Sequence, residues 1–243
     1  MTAFATFELR RITRDSRFLF FLFVMPAGLY LLYSGLHTHG LQDGLPAAEA
    51  LMVAMTSYAA MGCAMYAIGP ELAADRASGW IRQLRITPLT GRAWVAAKTA
   101  EGALLPVPAA ALVAITAILS HGIHASAERW AELLVIVVAG SLPFSMLGIV
   151  IGQTLDGKAA NSGTLFCQLG LSFVGGVLIP AAALPHAIRT IGQAFPSYDI
   201  AALGRDAMAG RGLPLGDVLV LAAWTLVLAA AALALLRRDG AST

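Results

Sequence analysis

A few groups of residues in this chain could do chemistry. The first is Gly152-Gln-Thr-Leu-Asp-Gly157-Lys158-Ala159, which has the glycine and lysine spacing of a phosphate-binding loop. Such a loop needs Ser or Thr after the lysine to hold magnesium, and it follows a β-strand. Here Ala159 fills that place, a long apolar run precedes it, and Asp156 would repel phosphate. The stretch reads as a turn anchored by Lys158. His37-x-His39 and His121-x-x-His124 have spacings that could hold a metal, yet the sequence fixes no acidic or cysteine partner beside them. Cys63 and Cys167 both fall inside apolar runs and read as small buried residues rather than a disulfide or zinc pair. No catalytic residue and no metal site are assigned.

The remaining group is the segment Glu71–Lys98, the only long polar, basic stretch in an apolar chain. It sets Arg76, Arg82, Arg85, Arg92 and Lys98 against Glu71 and Asp75. Its middle reads as a short helix from Asp75 to Leu84, ended by Thr87-Pro88 because proline disfavours helix in the residue before it. Trp80 and Leu84, four apart, share a face on such a helix and could fit a partner's groove. A segment that served only topology would need charge but not Trp80, Gly79 or Pro88.

The elements around this segment are dictated by composition. Of 243 residues, 58% are hydrophobic and 12% charged, against about 25% charged in a soluble domain. The mean hydropathy is +0.75. The chain therefore reads as membrane-embedded and all-α. A net charge of +2, with basic residues at span ends, gives no nucleic-acid surface. Apolar runs at about 18–36, 48–69, 99–119, 132–153, 163–180 and 217–236 each approach the roughly 20 residues of a spanning helix. That predicts six spans. Of the 16 Lys and Arg residues, all but Arg129, Arg189, Arg205 and Arg211 fall on the side of the termini and of Glu71–Lys98. Basic residues near span ends stay cytoplasmic, so both termini and the basic segment are expected inside the cell.

Ahead of the first span, residues 1–17 mix Arg10, Arg11, Arg14 and Arg17 with apolar residues and read as an interfacial helix. Gly148-xxx-Gly152 would let two helix backbones approach closely, and Pro106 and Pro108 should bend the third span. Glu101 and Asp217 sit at span ends, and almost no other ionisable residue enters the predicted hydrocarbon. Ion-coupled transporters usually place acids or histidines there, so any work done must be powered from outside the chain. Residues 180–211, with Pro180, Pro185, Pro196 and Arg205, are too broken for a crossing and too apolar for a free loop. Two short helices, about Pro185–Ala194 and Asp199–Ala209, entering the outer leaflet would account for both features.

The segment Asp75-Arg76-Ala-Ser-Gly79-Trp-Ile-Arg-Gln-Leu84-Arg85-Ile-Thr87-Pro88 resembles the E-R-E-x-G-T-L-x-x-L-x-x-T-P pattern of type 2 ABC exporter membrane subunits, the family that includes daunorubicin-resistance-type permeases. Leu9–Asp15 before Met25-Pro26 is similar to that family's interfacial entry helix. Gly176–Pro185 with Phe195-Pro196 is similar to its outer re-entrant pair. The chain departs from the pattern at Ala77, where an acid is usual, and at Arg82, where Glu is frequent.

The resemblance implies a single permease domain over residues 1–243 in a bacterial cell membrane. It implies a coupling helix carried by Asp75, Arg76, Gly79, Trp80, Leu84, Arg85 and Pro88, and an outer-leaflet pair carried by Pro180, Pro185, Pro196 and Arg205. It also implies a separate cytoplasmic ABC ATPase that binds ATP and magnesium, a second permease copy or paralogue, and surrounding lipid. This chain itself would hold no cofactor and would not be an enzyme. The expected function is export of a hydrophobic or amphipathic substrate such as a drug, antibiotic or lipid. The alternative is a membrane anchor or assembly module that tethers a cytoplasmic complex and moves nothing.

Overall fold

The computed structural model describes residues 20–36, 40–79, 91–179 and 185–241. The expected interfacial helix at 1–17, His37 and His39, and the site residues Trp80, Leu84, Arg85, Pro88 and Pro180 lie outside the described residues. A π-helical turn, Phe20–Val24, leads into α1 (Met25–Leu36), and a small hairpin, β1 (Leu41–Gln42) and β2 (Leu45–Pro46), leads into α2 (Ala47–Tyr66). Then follow α3 (Gly69–Ala77), α4 (Gly91–Leu104), α5 (Pro106–His121), α6 (Ala127–Gly140), α7 (Leu142–Thr154) and α8 (Gly157–Val174). The chain ends with α9 (His186–Gly192), α10 (Pro196–Ala209) and α11 (Leu215–Ala241).

Among the described residues, 4 helical stretches are long and apolar enough to cross a membrane: Ala47–Ala77, Trp94–His121, Ala127–Thr154 and Leu215–Leu236. The architecture is that of an all-α polytopic membrane protein. Two of the six expected spans do not reach this standard. Leu22–Leu36 is apolar but shorter. The fifth, expected at about 163–180, is α8, which stops at Val174 and is followed by a turn. Its inner face carries Thr164, Gln168 and Ser172, all buried, which lowers its apolar character.

Three of the long stretches are interrupted, and each interruption has the same cause. Pro70, Pro106 and Pro143 stand in the first two positions of α3, α5 and α7. Proline removes a backbone donor and clashes with the preceding turn, so it bends a helix where it enters. Pro106 acts where the sequence suggested. The hairpin, by contrast, was not expected. Its turn is Asp43-Gly44 with φ of 53° and 81°, the pair of left-handed residues that a two-residue hairpin requires.

The core is built around α2, whose residues from Met52 to Met65 are almost all buried. Tyr58, Met61 and Met65 pack with Phe144 of α7 and with Ile200 and Leu203 of α10. α7 approaches the α2–α3 junction closely. A Cβ on Gly148 would lie 3.0 Å from the Met65 carbonyl oxygen, and one on Gly152 would lie 2.6 Å from the Gly69 carbonyl oxygen. The Gly-xxx-Gly pair therefore does bring two backbones together. At the other extreme, α11 is largely exposed, with only Leu221 and Ala232 of Leu215–Leu236 buried. It is pinned by Trp224, whose Nε1 donates to the Ala194 carbonyl at 2.7 Å and whose ring stacks on Phe195.

Replacing Gly152 by valine drives side-chain carbons into the backbone of α3, which cannot yield as a flexible side chain would. Overpacking of this kind costs roughly 1–3 kcal/mol. Gly152→Val should lower the thermal unfolding midpoint in detergent, whereas Gly170→Val, where nothing lies within 4 Å, should leave it nearly unchanged.

Candidate functional site

The two ends of the basic segment meet. Glu71, in the first turn of α3, and Lys98, in α4, are 27 residues apart, yet Lys98 Nζ lies 3.0 Å from Glu71 Oε2. Lys98 Nζ is also 3.0 Å from Glu101 Oε2, one turn further along α4. Lys98 is only 1% exposed and Glu101 only 7%. Lys98 is therefore not a solvated loop lysine: its ammonium is enclosed between two carboxylates. A buried charge is tolerated only when paired and hydrogen-bonded, and two carboxylates on one lysine meet that condition.

The second attachment is Arg76, in the last turn of α3. Its Nη1 donates to the Gly152 carbonyl at 3.2 Å and to the Gln153 carbonyl, and lies 3.9 Å from Asp156 Oδ1. The last carbonyls of α7 have no partner within their own helix, and a cation there is also favoured by the helix dipole. Arg76 therefore caps α7 from α3. Glu71 and Arg76 also suit the ends of α3 itself, acid first and base last.

The expected helix from Asp75 to Leu84 does not begin at Asp75. Asp75 and Arg76 belong to α3, which ends at Ala77. Gly79 follows at φ 74° and donates its N–H to the Arg76 carbonyl at 3.1 Å, the left-handed cap that commonly closes a helix. Ser-Gly after a periodic helical run is a stop signal, and reading Gly79 as the interior of a helix missed it. Asp75 is buried. α3 leads through Gly79 into residues 80–90 and α4 begins at Gly91, so this clamp sits where that segment leaves and rejoins the helices.

At the opposite end, Arg205 of α10 reaches the hairpin, with Nε 3.2 Å from Asp43 Oδ2. Arg211 donates to Asp206 Oδ1 at 2.7 Å and to the Asp43 carbonyl at 2.9 Å. Two arginines thus fasten the Asp43-Gly44 turn to α10. The paired helices expected around Pro185 and Pro196 correspond to α9 and α10: exposed Pro185 precedes α9, and buried Pro196 opens α10. The structure does not bring this pair near the clamp.

Gly152, in the false phosphate loop, is filled against α3, and Gly157 begins α8. His121 Nδ1 faces the Tyr30 hydroxyl at 3.1 Å and the Ser120 hydroxyl at 2.8 Å. Among the described residues no three His, Cys, Asp or Glu side chains gather into a possible metal site.

Removing the lysine leaves Glu71 and Glu101 facing one another without their shared cation. Loss of one partner from a buried pair costs about 3–5 kcal/mol. Lys98→Met should therefore unfold well below the parent on heating, and adding Glu71→Gln to it should recover part of the loss. Strict additivity of the two substitutions would show that the contact carries no coupling.

Over 222 residues the chain is 23% identical to a Bacillus subtilis (strain 168) protein named "Putative transport permease YvfS", with 90% of each chain covered. No family profile matches the chain. No solved structure matches it. The chain is a multi-pass helical membrane protein similar to a transport permease.

Proposed function

We propose that this chain is the membrane subunit of an ATP-driven exporter of the type 2 ABC class. A separate cytoplasmic ATPase hydrolyses ATP, a second membrane subunit completes the complex, and the cargo is hydrophobic or amphipathic. Residues 80–90, with Trp80, Leu84, Arg85 and Pro88, receive the ATPase. In this reading the protein has six spans, both termini in the cytoplasm, and α9–α10 on the outer-leaflet side.

The observation that carries the reading is the double attachment of α3. Glu71 ties it to Lys98 of α4, and Arg76 ties it to the end of α7. A push delivered just beyond Gly79 is therefore passed to two long helices by short, charge-assisted contacts rather than lost in a slack loop. Similarity to a transport permease along nearly the whole chain supports a transport role.

The test is reconstitution with the candidate ATPase in proteoliposomes. Leu84→Asp should insert normally but lose the stimulation of ATP turnover, and cargo movement should stop with it. Unchanged turnover and movement in that variant would count against coupling through this segment. An ATPase that binds the chain while no cargo moves in any condition would favour the tethering alternative.

A further inference from the structure

Between α5 and α6, with α2 as its floor, lies an open cavity of about 320 Å³. Its walls are apolar. Ala110, Ala114 and Ile118 line it from α5, and Trp130, Leu134 and Val137 line it from α6. The alanines leave the space, since larger side chains on that face of α5 would fill it. Ala110 and Ile118 are eight residues apart, so the furrow runs about 12 Å along α5. Ile118 and Leu134 are exposed, and both helices belong to stretches apolar enough to cross a membrane. The open side therefore meets lipid.

The floor is Thr56 of α2, which is 1% exposed and whose hydroxyl has no partner. A helical threonine can return its hydroxyl to the carbonyl four residues back, as Thr116, Thr164 and Thr225 do here and as the neighbouring Ser57 does. Thr56 does not, and it lines the cavity instead. A free hydroxyl and an apolar furrow thus coincide. Sites for small molecules have this form: about 300–1,000 Å³, walled by apolar side chains, with a few polar groups that fix orientation. Water suits the furrow badly. It needs two to four polar partners, and an apolar cavity of about 150 Å³ stays dry and takes up a small hydrocarbon. Among the described residues no charged side chain lines the furrow, so an ionised ligand would be buried unpaired, at high cost. The Thr56 hydroxyl can both give and accept, and a ligand hydroxyl complements either role.

We propose that the furrow between α5 and α6 binds a neutral, single-chain alcohol taken from the bilayer, its hydroxyl on Thr56 and its chain along the alanines of α5. The half-buried Trp130, three residues into α6, marks the end of the furrow nearest the membrane interface, where tryptophan is enriched. The site is formed within one copy of the chain and away from the α3 clamp. It stands or falls apart from the coupling reading.

The test uses the full chain in phosphatidylcholine proteoliposomes and a photoreactive, diazirine-bearing octanol, with adducts located by mass spectrometry. Labelling should saturate and fall on the α5 and α6 residues of the furrow. Thr56→Val keeps the shape and removes the hydroxyl, so it should weaken labelling about tenfold. Thr116→Val, whose hydroxyl is spent on the Leu112 carbonyl, should leave labelling unchanged, and Ala114→Phe, which fills the furrow, should abolish it. A diazirine-bearing hydrocarbon of the same length should label the parent and Thr56→Val alike. Because Thr56 has no partner within the chain, Thr56→Val without the probe should unfold at no lower temperature than the parent. Equal octanol labelling of the parent and Thr56→Val would overturn the proposal. So would labelling spread without saturation over the lipid-facing residues, or a lowered midpoint for Thr56→Val.

Discussion

Everything described here depends on one backbone crossing. Gly148 and Gly152, a turn apart on α7, present bare main chain to Met65 and Gly69 at the α2–α3 junction. In a bilayer, lipid tails are as apolar as leucine, so helices gain little from merely burying hydrocarbon and instead associate through close contact and interhelical hydrogen bonds. The crossing sets how near α3 comes to α7, and that distance lets Arg76 reach the carbonyls at the end of α7. The same placement aims Glu71 at Lys98. A side chain at either glycine would separate the helices and loosen both charged contacts.

The bundle keeps its charges at two levels and its hydrocarbon between them. At one end, Lys98 is closed between Glu71 and Glu101; at the other, Arg205 and Arg211 hold the Asp43-Gly44 turn. The contacts of Lys98 are buried, so solvent screens them less than the exposed ones that Arg211 makes. Between the levels, α2 forms the packed axis, α11 faces outward, and α8 turns its polar side inward. Proline at the head of α3, α5 and α7 divides the long stretches into shorter rods. Rods joined at bends can shift against one another without losing their internal hydrogen bonds.

Some of this was legible in the residues. Runs of apolar side chains marked the membrane helices, Gly148 and Gly152 marked a close approach, and Pro106 marked a bend. Local signals were present for other features but were not weighed. Asp43-Gly44 is a hairpin turn in sequence as well as in space, Ser78-Gly79 closes a helix, and Pro70 and Pro143 break helices for the same reason as Pro106. The polar residues of α8 were visible too, but that Thr164, Gln168 and Ser172 share one buried face appears only in the fold.

What the sequence determined by itself is the class of the molecule: an apolar helical chain with one basic interruption, because composition and proline chemistry act locally and need no partner. What the tertiary structure decided is the environment of each charge. Lys98 is a loop lysine by its neighbours in sequence and a buried one in the fold, because Glu71, 27 residues away, must be carried beside it. Arg76 acquires a helix end only when α7 crosses α3. The fate of an ionisable group depends on contacts between distant residues, and the order of residues along one chain does not contain those distances.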